Sequence, residues 1–132
     1  MADGLILETT FLVDLERELL AGGDGPAQQF LANHAEASLF ITFTVAGELA
    51  AGLGPDRRDR WEQFVAPFTV LPANADVCWQ YAQAFRFLKS NGLLIGANDL
   101  WIAATALAHA KALVTRNSRE FQRVPGLRVL GY

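Results

Sequence analysis

Five residues of this 132-residue chain carry side-chain oxygens at places where a sheet could gather them: Glu8, Glu48, Asp99, Asn117 and Glu120. Glu8 directly follows the apolar run "LIL", and Glu48 sits in small, apolar company in "VAGELAAGL". Asp99 stands at the mouth of "NDLWIAATALAHA", a stretch apolar on most sides, and Asn117 and Glu120 follow "ALVT". Carboxylates brought within several ångströms repel one another, which raises their pKa values and costs stability unless a cation sits between them. Ligation by oxygen alone suits Mg²⁺ or Mn²⁺. Such an ion lowers the pKa of a bound water and clamps the oxygens of a phosphodiester, chemistry that needs no cysteine or histidine nucleophile.

Each of these residues also has a structural reading. Asp99 suits the start of a helix, where a negative charge meets the dipole and the free N–H groups. Asn117 and Glu120 have the spacing of a capping box, with Asn in place of Ser or Thr. Glu48 falls one position past N3 if Thr44 caps its helix, and a solvated face stays open for it. Burial of Glu8 at a strand end would be costly without a partner. With 14 acids in the chain, some must lie near strand ends by chance, so position alone does not decide the matter.

The elements that would position these residues alternate. Short apolar runs at 4–8, 39–43, 68–72, 112–115 and 127–131 read as strands, and "LFITF" has the β-branched, aromatic continuity of a strand covered on both faces. Between them lie helical patterns: one after residue 9 that ends at Gly22 and Gly23, others near 25–35, 45–53 and 61–66, a long one over 74–91, one over 99–110, and a short turn at "SREF". This alternation predicts an α/β fold, and parallel crossovers align the carboxyl ends of the strands along the edge where open α/β sheets place ligands.

A hydrophobic content of 52% with 19% charged residues fits one compact domain over 1–132. A net charge of −3 argues against a broad electrostatic glove for nucleic acid, though not against a local basic rim. The one cysteine, Cys78, excludes an internal disulfide and reads as a buried, inert thiol. "MADGLILETT" has no cationic leader pattern, and "LWIAATALA" falls well short of the ~20 residues that span a bilayer, so the expectation is a soluble, cytoplasmic protein without a membrane partner.

The set "LILETTFLVDL", "FTVAGELAAGL", "GANDLWIAATALAHAKALVTRNSREF" and "VPGLRVL" resembles the PIN-domain ribonucleases, in particular the VapC-type toxins of toxin–antitoxin pairs. The resemblance covers nearly the whole chain, and its most specific part is "NDLWIAATALAHAKALVTRNSREF". It implies a three-layer α/β/α sandwich around a mostly parallel five-stranded sheet, and a Mg²⁺- or Mn²⁺-dependent endoribonuclease that hydrolyses RNA to leave a 5′-phosphate. It also implies a homodimer and a cognate VapB-type antitoxin. Carried over by residue, the metal-holding acids fall on Glu8, Glu48 and Asp99, with Asn117 in a position often held by a fourth acid or Asn and Glu120 at the periphery. One departure stands out. The family usually has Asp where this chain has Glu8, and misplacement of a ligand by about an ångström costs on the order of 10²-fold in rate. A weakened or inactive module that binds RNA or antitoxin is therefore the alternative.

Around that centre, Arg116 and Arg119 are the first candidates for RNA phosphate contacts, and Arg57, Arg58 and Arg60 the second, because two aspartates offset the charge of "PDRRDR". For Thr9, Thr10 and Thr115, capping or a strand-end hydrogen bond outweighs a direct role. His34 and His109 read as structural. In "DVCWQYAQAFRFLKSNG" the core-facing set is Val77, Tyr81, Phe85 and Leu88, while Trp79 and Phe87 fall off that stripe, to be buried in further core or used as a dimer or antitoxin surface. A nucleotide-binding domain is disfavoured because "AGLGPDR" has neither a preceding strand nor the rest of a phosphate-binding fingerprint, and a thiol enzyme because Cys78 has no evident basic partner.

Overall fold

The computed structural model describes residues 4–132. Five strands form one sheet: β1 (Gly4–Leu7), β2 (Ser38–Thr42), β3 (Thr69–Leu71), β4 (Ala112–Val114) and β5 (Val129–Leu130). Their order is β3-β2-β1-β4-β5, and every pairing is parallel rather than mostly so. The chain therefore builds outward from β1 in one direction, then returns past it to build in the other. That reversal puts a topological switch point between β1 and β4, where the carboxyl ends of adjacent strands open a crevice.

Parallel pairing demands crossovers, and helices supply them. α1 (Thr9–Ala21) and α2 (Pro26–Asn33) join β1 to β2; α3 (Phe43–Ala51) and α4 (Arg58–Val65) join β2 to β3. α5 (Ala75–Ser90) and α6 (Ala97–Ala108) carry the chain across to β4, and the single turn α7 (Ser118–Phe121) leads to β5. The central strand is buried along Leu5, Ile6 and Leu7, as are Leu113 and Val114 beside it, which is why these runs are apolar without alternation. Phe11, Leu12 and Leu15 on α1 and Leu100, Ile102, Ala103 and Ala106 on α6 pack into the same core. The small residues of α6 allow close approach of its neighbours, whereas the edge strand β3 leaves Thr69 and Val70 exposed.

Several local expectations change in the folded chain. Strand β1 ends at Leu7, and Glu8 becomes the N-cap of α1, its carboxylate accepting from the Thr10 N–H. Thr42, not Thr44, caps α3, receiving the Val45 N–H at 3.1 Å. The capping box at Asn117 and Glu120 does not form, because the Asn117 side chain makes no cap hydrogen bond. α6 begins at Ala97 behind Gly96, so Asp99 is its third residue rather than its first. Cys78 is exposed, because α5 turns its core face through Val77, Ala84 and Leu88. Tyr81 and Phe85 pack partly buried against that core, whereas Trp79 is 60% and Phe87 43% exposed, which removes the reading of these two as further core.

The end of α6 carries a small strain. Ala110 has φ 52 while the Lys111 N–H reaches back to the Ala106 carbonyl and the Ala110 N–H to that of Leu107. This helix ending favours glycine, because a Cβ in the left-handed region crowds the following carbonyl. Ala110→Gly is expected to raise stability by about 1 kcal/mol, read as a higher urea midpoint at unchanged m-value.

Candidate active site

Four acids approach one another at the carboxyl edge of β1 and β4, each delivered by a different element. Glu8 arrives because β1 stops one residue earlier; its backbone N–H still pairs with the Val114 carbonyl at 3.0 Å, so the end of β4 fixes its position. Its side chain is 3% exposed. Burial pushes the Glu8 carboxyl up, and the charge of Glu48 adds to that; the Thr10 N–H and the hydroxyls of Thr10 and Thr115 pull it back down. Glu48, on α3, accepts the Thr9 hydroxyl at 2.8 Å. Asp99, on α6, is half-buried, and its pKa is pushed up to about 6, first by burial and then by the charges of Glu120, Glu8 and Glu48. Glu120, Glu8 and Glu48 thus stand close enough to oppose the ionisation of Asp99.

Glu120 contributes more than its spacing suggested. Released from the cap that does not form, it is the strongest charged neighbour of Asp99. Asn117 lies exposed at the rim of the β4–α7 turn, its backbone N–H donating to the Thr115 hydroxyl at 3.0 Å. The Thr115 hydroxyl stands 3.3 Å from that of Thr10, and Thr10 Oγ1 in turn accepts the Arg116 N–H at 3.0 Å. This chain of hydroxyls ties the start of α1 to the end of β4, so the threonines orient the acids' supports.

Arg116 is engaged within the protein: its guanidinium pairs with Asp14 at 2.7 Å. Tyr132 donates its hydroxyl to the other Asp14 oxygen at 2.5 Å, and its ring meets Phe11 edge-on at 4.8 Å. Burial and the neighbouring Asp14 charge raise the Tyr132 pKa well above the phenolic range, so it stays a donor at physiological pH. Neither Asp14 nor Tyr132 was marked by the sequence, since 118 residues separate them and no local pattern links them. Arg119 is exposed on α7, Arg58 pairs with Glu62 along α4, and Arg60 lines a groove beside the acids. His34 stacks on Phe30 and His109 ends α6, both away from the acids.

The donor set is all oxygen and carries excess negative charge, which fits a small, hard divalent cation. Among the described residues, no three acids or imidazoles already stand as a preformed metal cage. The reason is visible in the bonding: Glu8 is turned onto the Thr10 N–H and Glu48 onto the Thr9 hydroxyl.

A groove of about 190 Å³ runs beside Glu48 between α1, α3 and α4, lined by Leu12, Val13, Leu49, Trp61 and Phe64 with Glu16 and Arg60 at its polar side. Trp61 is held there by its Nε1–H, which donates to the Ala46 carbonyl at 2.9 Å.

Comparison with known proteins agrees with this architecture. Residues 5–127 match the PIN domain family. Ribonuclease VapC1 of Rickettsia felis is 31% identical over 96% of this chain and 95% of its own length. Among solved structures, VapBC2 of Rickettsia felis bound to a DNA fragment from its promoter superposes with a TM-score of 0.80 at 26% identity, covering 97% of this chain and 98% of that one. VapBC-1 of nontypeable Haemophilus influenzae does so with a TM-score of 0.80 at 27% identity, covering 96% of each. A parallel sheet whose switch point gathers Glu8, Glu48 and Asp99, with this likeness along its length, makes the chain a PIN-domain protein of the VapC ribonuclease family.

Proposed function

We propose that the chain is a divalent-metal-dependent endoribonuclease, the toxin of a VapBC-type pair, acting on RNA in the cytoplasm and held in check by a cognate VapB-type antitoxin. The observation that carries this is the convergence of Glu8, Glu48, Asp99 and Glu120 at the switch point, where burial and the charges of its acidic neighbours push Asp99 up to about 6. Mg²⁺ or Mn²⁺ would be held by Glu8, Glu48 and Asp99, directly or through water, with Asn117 supporting from the rim. When bound, the ion supplies a more acidic water and a clamp for the charged oxygens of the phosphodiester. The chain's own residues do the rest. Thr9 orients Glu48, and Thr10 and Thr115 orient Glu8. Asp14 and Tyr132 brace the turn that carries Asn117, and Arg119 and Arg60 offer positive charge to the phosphates on either side.

The groove beside Glu48 suits an amphipathic antitoxin segment, with its apolar side chains against Leu12, Leu49, Trp61 and Phe64 and a cation toward Glu48 or Glu16. The exposed Trp79 and Phe87 on α5, followed by exposed Leu93 and Leu94, suit a homodimer contact. Trp79→Lys combined with Phe87→Glu is expected to convert a dimer to a monomer in sedimentation at micromolar concentration; a wild-type monomer at that concentration removes the dimer.

Incubation of the protein with structured RNAs tests the main reading. Cutting is expected with Mn²⁺ or Mg²⁺ and none in EDTA; equal cutting with EDTA present removes metal-dependent hydrolysis. A second reading is favoured by one specific observation, the use of Glu8 as a helix cap. In it, the longer acid has become a structural cap, and the protein binds RNA or antitoxin without cutting. No heat on titration with Mn²⁺, together with intact antitoxin binding, distinguishes it.

A further inference from the structure

On the opposite side of Glu48 from the groove lies a second cleft, of about 380 Å³, between α3 and α6. Its walls carry Phe43 and Trp101, whose ring centroids are 6.4 Å apart at 64°, and Trp101 is backed by Tyr81, stacked on it at 3.9 Å. Two polar side chains line the same cleft. Asn98 is exposed, and Thr44 Oγ1 is buried with no hydrogen-bond partner among the described residues. Thr44 is not needed to cap α3, a task Thr42 performs.

Gly47 adds an independent observation. It is exposed in the middle of α3, where glycine destabilises relative to alanine. A Cβ built there would meet nothing within 4 Å. No packing contact within the protein therefore requires glycine at this position, which lines the cleft.

We propose that this cleft is a nucleobase subsite for single-stranded RNA: the base beside the scissile phosphate lies against Phe43 and Trp101 while the Asn98 amide and the Thr44 hydroxyl, turned about χ1 toward the cleft, read its edge. Aromatic faces with hydrogen-bonding groups set among them are how proteins hold an unstacked base. RNA is favoured over a protein occupant because Glu48 belongs to both the cleft and the acidic centre, and because Asn98 immediately precedes Asp99. A base here is thus attached to a phosphate there. The subsite deepens the ribonuclease reading and rests on it.

The experiment uses the full chain carrying Asp99→Asn, so that RNA is bound rather than cut, and labelled single-stranded hexamers varied one base at a time. Fluorescence anisotropy is expected to rank the four bases at one position of the hexamer. Thr44→Val and Asn98→Ala should each raise Kd for the preferred base about five- to tenfold and flatten the ranking. Thr44→Val should melt no lower than its parent, since it removes an unpartnered hydroxyl. Gly47→Leu adds a side chain at the wall of the cleft, where its Cβ meets nothing within 4 Å, and should raise Kd about tenfold or more.

The proposal is overturned if folded Gly47→Leu protein binds every hexamer as its parent does, or if the parent ranks no base. It is equally overturned if these substitutions change the sedimentation coefficient and not Kd, which would make the cleft a contact between two copies. The ribonuclease reading fails separately: should the protein with Asp99 intact cut no RNA with Mn²⁺ while the base ranking holds, the subsite stands and the nuclease does not.

Discussion

Asp99→Asn is expected to abolish RNA cutting and, in the same protein without metal, to raise its melting temperature. The rate loss should be about 10³-fold or more, since the substitution removes one anionic wall of the acidic centre. The stability gain follows from linkage. Asp99 ionises at 3.8 in an unperturbed chain and at about 6 in the fold, so the folded state binds this proton the more tightly. The associated stability is fully present below 3.8 and is lost as pH rises through about 6. At pH 8 the ionised Asp99 therefore costs stability, on the order of 1–2 kcal/mol once its partial exposure to solvent is allowed for. Asn carries no charge and escapes this. Its advantage should be absent near pH 3, develop between pH 4 and 6, and reach about 3–8 °C in melting temperature at pH 8. Saturating Mn²⁺ should close the gap by stabilising the wild-type protein, by about 2.7 kcal/mol at about 100 times Kd, and should do less for the variant. Undiminished cutting by the variant, or a melting temperature at pH 8 no higher than wild type, would contradict the convergence of charge.

The second large effect belongs to the scaffold. Phe11→Ala should destabilise the protein by about 3–5 kcal/mol, a large part of the ~5–15 kcal/mol that holds a domain together. Phe11 is fully buried, and its ring meets Phe30 at 5.7 Å and Tyr132 at 4.8 Å. It fixes α1, which delivers Thr9 and Thr10, and it seats Tyr132, which holds Asp14 against Arg116. Phe87→Ala supplies the contrast. That ring is 43% exposed, and its loss should change the stability of a single chain by no more than about 0.5 kcal/mol. A guanidinium midpoint that fell equally for both would mean that α1 is not anchored as described.

The fold was legible where burial leaves its mark on consecutive residues. "LIL" is apolar without alternation because the central parallel strand is covered on both faces, and Gly22 closes α1 with φ 69 as a helix-ending glycine does. The alignment of strand carboxyl ends pointed to Glu8, Glu48, Asp99, Asn117 and Glu120 without deciding among them, and the family resemblance singled out Glu8, Glu48 and Asp99. What the sequence hid depends on competition between neighbouring groups. Thr42 and Thr44 are equally able to cap, and which of them does so depends on where β2 stops. Asn117 and Glu120 spell a capping box, but Asp99 lies close to Glu120, and α7 is too short to hold it back. Cys78 looked buried from its neighbours in sequence, although its rotation around α5 points it outward. The tie from Asp14 to Tyr132 exists only in the folded chain, because nothing local signals a partner so distant.

The route of the chain through its sheet also governs when the acidic centre can exist. β4 comes to rest beside β1 only after both crossovers of the other side, and the hydroxyl contact that joins them, Thr10 to Thr115, spans 105 residues. During synthesis, Glu8 and Glu48 leave the ribosome long before Asp99 and the turn that follows β4. Until that last stretch emerges and docks, a growing chain has half a centre and no turn to brace it. The acidic centre of this fold thus assembles only once β4 has docked beside β1, well after Glu8 and Glu48 have been made.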